Sequence, residues 1–179
     1  FGDGYEVSTL SAYEWHDRFT RENTDASPNL MAHSEYGDTA WQVSEQLELR
    51  GNWSESEAGE GSWLLGLYYL QEDLDVNNFF DAPIQGFGED LSQLYSQKTR
   101  YFAPYAYSEY NLNLGCKFLP CDFTLTTGIR YNWEFTSFDT HVCSFSGNNC
   151  NFFALRKDSD DRAWSGVGAE ISLAWNFRE

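Results

Sequence analysis

The chain has 179 residues, 28 of them acidic and 11 basic, for a net charge of −17. That scarcity of Lys and Arg excludes a nucleic-acid surface, which is built from cations that meet phosphates. Mean hydropathy is −0.56 and the longest apolar run, Trp63 to Leu70, is far too short for a membrane-crossing helix.

Six stretches alternate apolar and polar residues, and this period-two pattern predicts strands at 5–16, 39–53, 62–72, 99–112, 122–135 and 162–177. The first runs from Tyr5 to His16. In the second, Trp41, Val43, Glu45, Leu47, Leu49, Gly51 and Trp53 alternate with Gln42, Ser44, Gln46, Glu48, Arg50 and Asn52, so one face is oily and the other fully polar. The third carries Trp63 to Tyr69, and the fourth contains Pro104 and a mixed pattern. The fifth sets Phe123, Leu125, Ile129, Tyr131 and Trp133 against Thr124, Thr126, Gly128, Arg130 and Asn132, and the sixth sets Val167, Ile171, Leu173 and Trp175 against Gly166, Gly168, Glu170 and Ser172.

The connections between these strands hold 22, 8, 26, 9 and 26 residues. Compact domains use about 4 to 6, whereas outer-membrane barrels have short turns on one side and long loops on the other. Aromatic placement points the same way. Trp53, Trp63, Phe123, Trp175 and Phe177 lie at strand ends that face short connections, and Trp15, Trp41, Tyr69, Tyr101, Tyr131 and Trp133 lie toward long ones. Two such rows match the girdles that barrels place at the membrane interfaces. Trp41 and Trp53 are separated by roughly 40 Å of strand, or about 30 Å of height at a tilt near 40°, close to a bilayer. The expected fold is therefore all-β: an antiparallel membrane β-barrel wall of about six long meander strands. Odd-numbered side chains should face lipid and even-numbered ones a watery bore.

The acidic residues gather in the long connections and read as solvated loops: Asp17, Glu22, Asp25, Glu35 and Asp38 in the first, Asp73, Asp75, Asp81, Glu89 and Asp90 in the third, Asp158, Asp160 and Asp161 in the fifth. Catalytic motifs are missing: the chain has no G-x-S-x-G, H-E-x-x-H, phosphate-binding loop or dinucleotide fingerprint, and no cofactor motif, which points away from an enzyme. Asp73, Asp75 and Asn77 imitate the start of a calcium loop, but Asn78 replaces its glycine and Ile84 its closing glutamate. His16, His33 and His141 fall on the long-connection side, where a metal or haem contact is one reading and simple exposure the other. Arg50 and Arg130 face the bore by parity; each either meets an anionic ligand or pairs with Glu48 or Glu134.

The cysteines form two near pairs. Cys116 and Cys121 flank a short connection, and Cys143 and Cys150 share a long one, so this topology puts the pairs on opposite sides of the membrane. Cα atoms must lie within about 7 Å for a disulfide, which leaves Cys116 with Cys121 and Cys143 with Cys150, in an oxidising compartment such as the periplasm or cell surface. Zinc is the rival reading, although no C-x-x-C spacing supports it.

The chain opens on Phe1 and shows no secretion signal, and six strands do not close a barrel, because an open edge in lipid leaves backbone donors unpaired. Residues 1–179 are thus expected to be one partial barrel domain with further wall on both sides.

Taken in order, Val43-Ser44-Glu45-Gln46-Leu47-Glu48-Leu49, Trp63-Leu64-Leu65-Gly66-Leu67-Tyr68-Tyr69 and Leu125-Thr126-Thr127-Gly128-Ile129-Arg130-Tyr131 resemble wall motifs of the TonB-dependent outer-membrane receptors, as do Ser8 to Tyr13, Tyr105 to Leu112 and Trp164 to Trp175. The resemblance implies a barrel of about 22 strands closed by an N-terminal plug, in the outer membrane of a Gram-negative bacterium. It also implies energy-coupled uptake of a scarce solute such as a ferric siderophore, cobalamin, haem or glycan. Its implied partners are outer-membrane lipid, the solute, and the TonB complex reached through an N-terminal region that this stretch does not contain. The paired cysteines depart from the family pattern. So does Glu45, a carboxylate that parity turns toward lipid, where a bulge or a protonated carboxyl is expected. Two other readings remain: another outer-membrane barrel, either a passive channel or a barrel enzyme, and a secreted carbohydrate-binding β-domain that needs no detergent.

Overall fold

The computed structural model describes residues 4–23, 33–56, 59–81, 90–113, 122–145 and 150–176. They form one antiparallel sheet of six strands in chain order: β1 (Tyr5–Asn23), β2 (His33–Ser56), β3 (Gly59–Asp81), β4 (Asp90–Asn113), β5 (Asp122–Phe145) and β6 (Cys150–Asn176). Each strand pairs with its neighbours in sequence, and β1 and β6 are the two free edges. The sheet is an open meander, as the alternation requires.

Every strand outruns the stretch in which one face is apolar. β2 begins at His33, β3 runs on to Asp81, β4 begins at Asp90, β5 continues to Phe145 and β6 starts at Cys150. The expected long connections are therefore mostly paired strand; 24–32, 82–89 and 146–149 lie outside the described residues. The pairing shows why. Beyond Trp41 the alternation continues with its polarity exchanged, so that Thr39, Asp75, Asn77 and Asp139 follow on the side of Val43 and Leu47. Ala40, Leu74, Val76 and Phe138 appear on the opposite side. There the Tyr36 and Phe80 rings meet at 5.9 Å and those of Tyr95 and Phe138 at 5.7 Å. Asp17, Glu22, Glu35, Asp38, Asp73, Asp75, Asp81, Asp158, Asp160 and Asp161 consequently sit on strands rather than in loops. Asp25 and Glu89 fall outside the described residues, and Asp90 opens β4.

Register assigns the faces. Odd residues pair with odd from β1 through β3 and between β5 and β6, but Tyr69 of β3 pairs with Phe102 of β4, and Phe102 with Trp133 of β5. β4 thus enters with parity reversed, and its even residues join the apolar face. Tyr101, placed by its position among the apolar aromatics, is corrected to the polar face: its ring lies 5.9 Å from that of Tyr68 and its hydroxyl donates to Asn132. Pro104 interrupts only one of this strand's two ladders. It pairs with Leu67 of β3, whereas pairing with β5 skips Ala103 and Pro104 and resumes in the same register. Proline has no N–H for the second ladder.

The enclosure of the two faces is opposite to that of a sheet folded around a dry core. Large apolar side chains left exposed lie on the apolar face, apart from Leu10, Leu91, Tyr107 and Trp164. Val43 is 37% exposed, Leu47 47%, Ile129 56% and Leu173 63%. On the polar face Glu48 is only 9% exposed. Gln42, Arg50 and Asn132 share that face, so the two-sided division read from the alternation holds.

Both aromatic rows form on the apolar face. At the end of the short connections, Trp63 lies across Gly51, where a Cβ would stand 2.5 Å from the indole. The bare glycine lets Trp63 reach Tyr5 at 5.9 Å on one side and Trp53 at 6.4 Å on the other. Trp53 donates its indole N–H to Ser108 at 3.3 Å, and Phe123 stacks on Trp175 at 5.7 Å. Toward the other end, Trp15 pairs with Trp41, and Phe102 with Trp133.

Candidate functional site

The polar face carries a connected network across β2, β3 and β4. Glu48, Gly66 and Tyr105 stand directly opposite one another in register. Gly66 has no side chain, so the Tyr105 ring lies over the middle strand; a Cβ on Gly66 would stand 2.0 Å from that ring. The Tyr105 hydroxyl donates to Glu48 Oε1 at 2.8 Å and accepts from the Gln46 amide at 2.8 Å, while Gln46 also donates to Glu48 at 2.7 Å. Arg50 completes the group, donating to Glu48 Oε2 through its Nε at 3.2 Å. A nearly buried carboxylate is thereby compensated by a cation and two neutral donors, as burial of a charge requires.

Arg130 sits in the same row, opposite Tyr105 and Gly168. It does not pair with Glu134, which accepts a hydrogen bond from Thr136. Arg130 instead donates to the Tyr101 hydroxyl at 3.0 Å and stands 5.7 Å from the Tyr101 ring centre, within cation–π range. A shallow groove of about 680 Å³ opens beside it, lined by Gln46, Tyr68, Tyr105, Gly128, Arg130 and Gly168. The two arginines that sequence left equivalent are now distinct: Arg50 is paired with Glu48, whereas Arg130 has no ion-pair partner among the described residues and shares the groove lining with Glu170. Arg50→Ala should accordingly lower the unfolding midpoint more than Arg130→Ala does, because only the first leaves a buried carboxylate without its cation. A denaturant titration of both variants checks the ranking.

Glu45 is on the apolar face, as parity predicts, but the expected bulge is not there. Pairing runs unbroken through Ser11, Glu45 and Tyr69, and the carboxylate instead accepts hydrogen bonds from the hydroxyls of Thr9 and Ser11 on β1. Those two donors sit on the neighbouring strand, so only the register reveals them.

The histidines are all on strands. His16 lies 2.9 Å from Asp38, His141 3.5 Å from Asp139, and His33 3.2 Å from Asp81. They are spread over two faces and do not converge. Among the described residues no three His, Cys, Asp or Glu side chains come together to hold a metal ion. Cys143 is disulfide-bonded; Cys116 and Cys121 lie outside the described residues, as does the side chain of Cys150.

Arg18 and His16 both grip Asp38, three residues beyond Trp41, with Arg18 at 2.7 Å. The Arg18 hydrogen bond, aided by His16, holds the Asp38 carboxyl below its ordinary 3.8. A depressed carboxylate pKa stabilises the folded hairpin fully above the unfolded value and loses that contribution as pH falls through the lower folded one. Hydrogen exchange along the paired outer ends of β1 and β2 should therefore quicken in acid below that window, beyond the intrinsic pH effect. Asp38→Asn should show the faster exchange already at neutral pH.

No family model matches the chain, and neither does any curated protein. Among solved structures it is similar to the ferric yersiniabactin uptake receptor of Yersinia pestis, with a TM-score of 0.66 and 16% identity over 97% of this chain. The chain spans 23% of that receptor's length, and the likeness is one of fold: a stretch of all-β barrel wall.

Proposed function

We propose that the chain is part of the barrel wall of a TonB-dependent receptor in the bacterial outer membrane and that it takes up a scarce solute, of which a ferric siderophore is the type. The carrying observation is the two-sided sheet, with most of its large exposed apolar side chains on one face, bounded by two aromatic rows, and the Glu48 carboxylate enclosed in a polar network on the other. Lipid is the solvent that suits the first face, and a water-filled bore suits the second. The fold likeness to an uptake receptor and the ordered wall motifs support the transport role. On this reading residues 1–179 form one stretch of barrel domain, and further strands cover the free edges of β1 and β6. Coupling to TonB and closure by a plug belong to other regions. No bond is made or broken here; the wall positions a ligand. Cys143 pairs with Cys150 across the β5–β6 hairpin, and Cys116 with Cys121 at the opposite end.

Uptake of a radiolabelled ferric chelate by cells that carry the gene tests the proposal. Expected are accumulation that disappears on deletion of the gene, collapse of that accumulation by a protonophore, and recovery of the protein only in the detergent-extracted outer membrane. Uptake that survives the protonophore would instead assign a passive channel, and a protein that stays in solution without detergent would assign a secreted β-domain.

A further inference from the structure

Arg100 is the one described arginine on the apolar face without a carboxylate. It lies on β4 opposite Gln71 and Phe135, and among the described residues it has no hydrogen-bond or ion-pair partner. Two residues along the same face is Phe102, paired with Trp133, and two residues the other way is Lys98, which lies in register with Asp73 and, beyond it, Trp41. Lys98 binds Asp73 at 3.2 Å and its side chain is 60% exposed, so the carboxylate nearest this level is already taken. Glu45, lower on this face, is taken up by Thr9 and Ser11, and Asp75 is one step farther out. In a chain with 28 acids and 11 bases, a guanidinium left over at this level needs an anion from outside the sheet.

The geometry points to a lipid-phosphate clamp: Arg100, seconded by Lys98, grips the phosphate of an anionic lipid headgroup in the leaflet next to the Trp15–Trp41 row. The site rests on the membrane reading proposed above. Its chemistry follows from depth and shape. Phe102 and Trp133 mark the border of the hydrocarbon, where headgroup phosphates lie. A guanidinium presents parallel donors that match two phosphate oxygens, while an ammonium adds a point charge. A long aliphatic stem laid along the apolar face would carry the Arg100 charge outward to the headgroups.

Native mass spectrometry of the full chain in nonionic detergent, titrated with phosphatidylglycerol or with phosphatidylcholine, tests the clamp. The first phosphatidylglycerol should bind in preference to phosphatidylcholine, and Arg100→Gln should weaken it about fivefold, the effect of one basic residue near a membrane surface. Arg100→Lys should restore part of the loss, and Arg130→Gln, on the opposite face, should leave the lipid affinity unchanged. The clamp is overturned if Arg100→Gln binds the lipid like the parent chain, if Arg130→Gln loses it equally, or if millimolar inorganic phosphate displaces the lipid. A chain that holds neither detergent nor lipid brings down the membrane reading together with the clamp, whereas a detergent-dependent chain that ignores headgroup charge brings down the clamp alone.

Discussion

Leu47→Lys should block assembly of the wall in a bilayer, whereas Ser44→Lys, three residues away on the same strand, should leave it assembled. Leu47 stands midway between Trp41 and Trp53 and is 47% exposed on the apolar face, while Ser44 is on the polar face. A lysine at the midplane of a lipid-facing barrel wall costs about 2 to 4 kcal/mol, and one directed into a watery bore costs far less. Urea titration of the two variants in vesicles measures the difference. Equal midpoints would mean that both faces meet the same solvent, and the membrane assignment would then be lost.

Gly66→Val should cost about 2 kcal/mol or more and should uncouple β2 from β4 on the polar face. The added side chain takes the space of the Tyr105 ring, which must swing off the middle strand and release both Glu48 and Gln46. Overpacking of this kind costs about 1 to 3 kcal/mol, and a nearly buried carboxylate deprived of a donor adds to it. Tyr105→Ala should remove most of the sensitivity to Gly66→Val, because the conflict is with that ring. A double-mutant cycle by denaturant unfolding gives the coupling directly. Additive effects would show that the ring over the glycine is incidental.

Where a stretch of strand keeps one constant apolar face, its two faces were legible in the sequence. Trp41 to Trp53 and Phe123 to Trp133 sort by parity alone, and the structure keeps that sorting. Two kinds of information were not accessible. The first is the parity of one strand relative to the next: the change at β4 depends on how the β3–β4 hairpin closes, and it moves Tyr101 to the other face. The Glu48, Gly66 and Tyr105 row and the Thr9 and Ser11 contacts to Glu45 depend on register in the same way. The second is where strands end. Asp73, Asp75 and Asp81 look like loop residues because the exchange of polarity beyond Trp41 abolishes a constant apolar face while leaving the backbone ladder intact. A search for alternation without regard to its phase would have followed β3 through Val76 and Phe80. Arg130 was found as a candidate by parity, but only its contact with Tyr101 in place of a carboxylate separates it from Arg50.

The long hairpins beyond the aromatic row have a further effect. β2 and β3 stay paired from Trp41 and Asp73 out to His33 and Asp81, eight more rungs of ladder. At ~3.3 Å per residue these form a stalk roughly 25 Å long. Side chains carried on such a stalk are held at a set height and angle, so on the uptake reading proposed above a visiting solute would meet a collar already in shape. Capture then needs little ordering of the protein, and less of the contact energy is consumed in freezing mobile chain. Selectivity at the mouth becomes a matter of which rung a residue occupies, and inserting a single residue below it would turn the whole upper collar inside out.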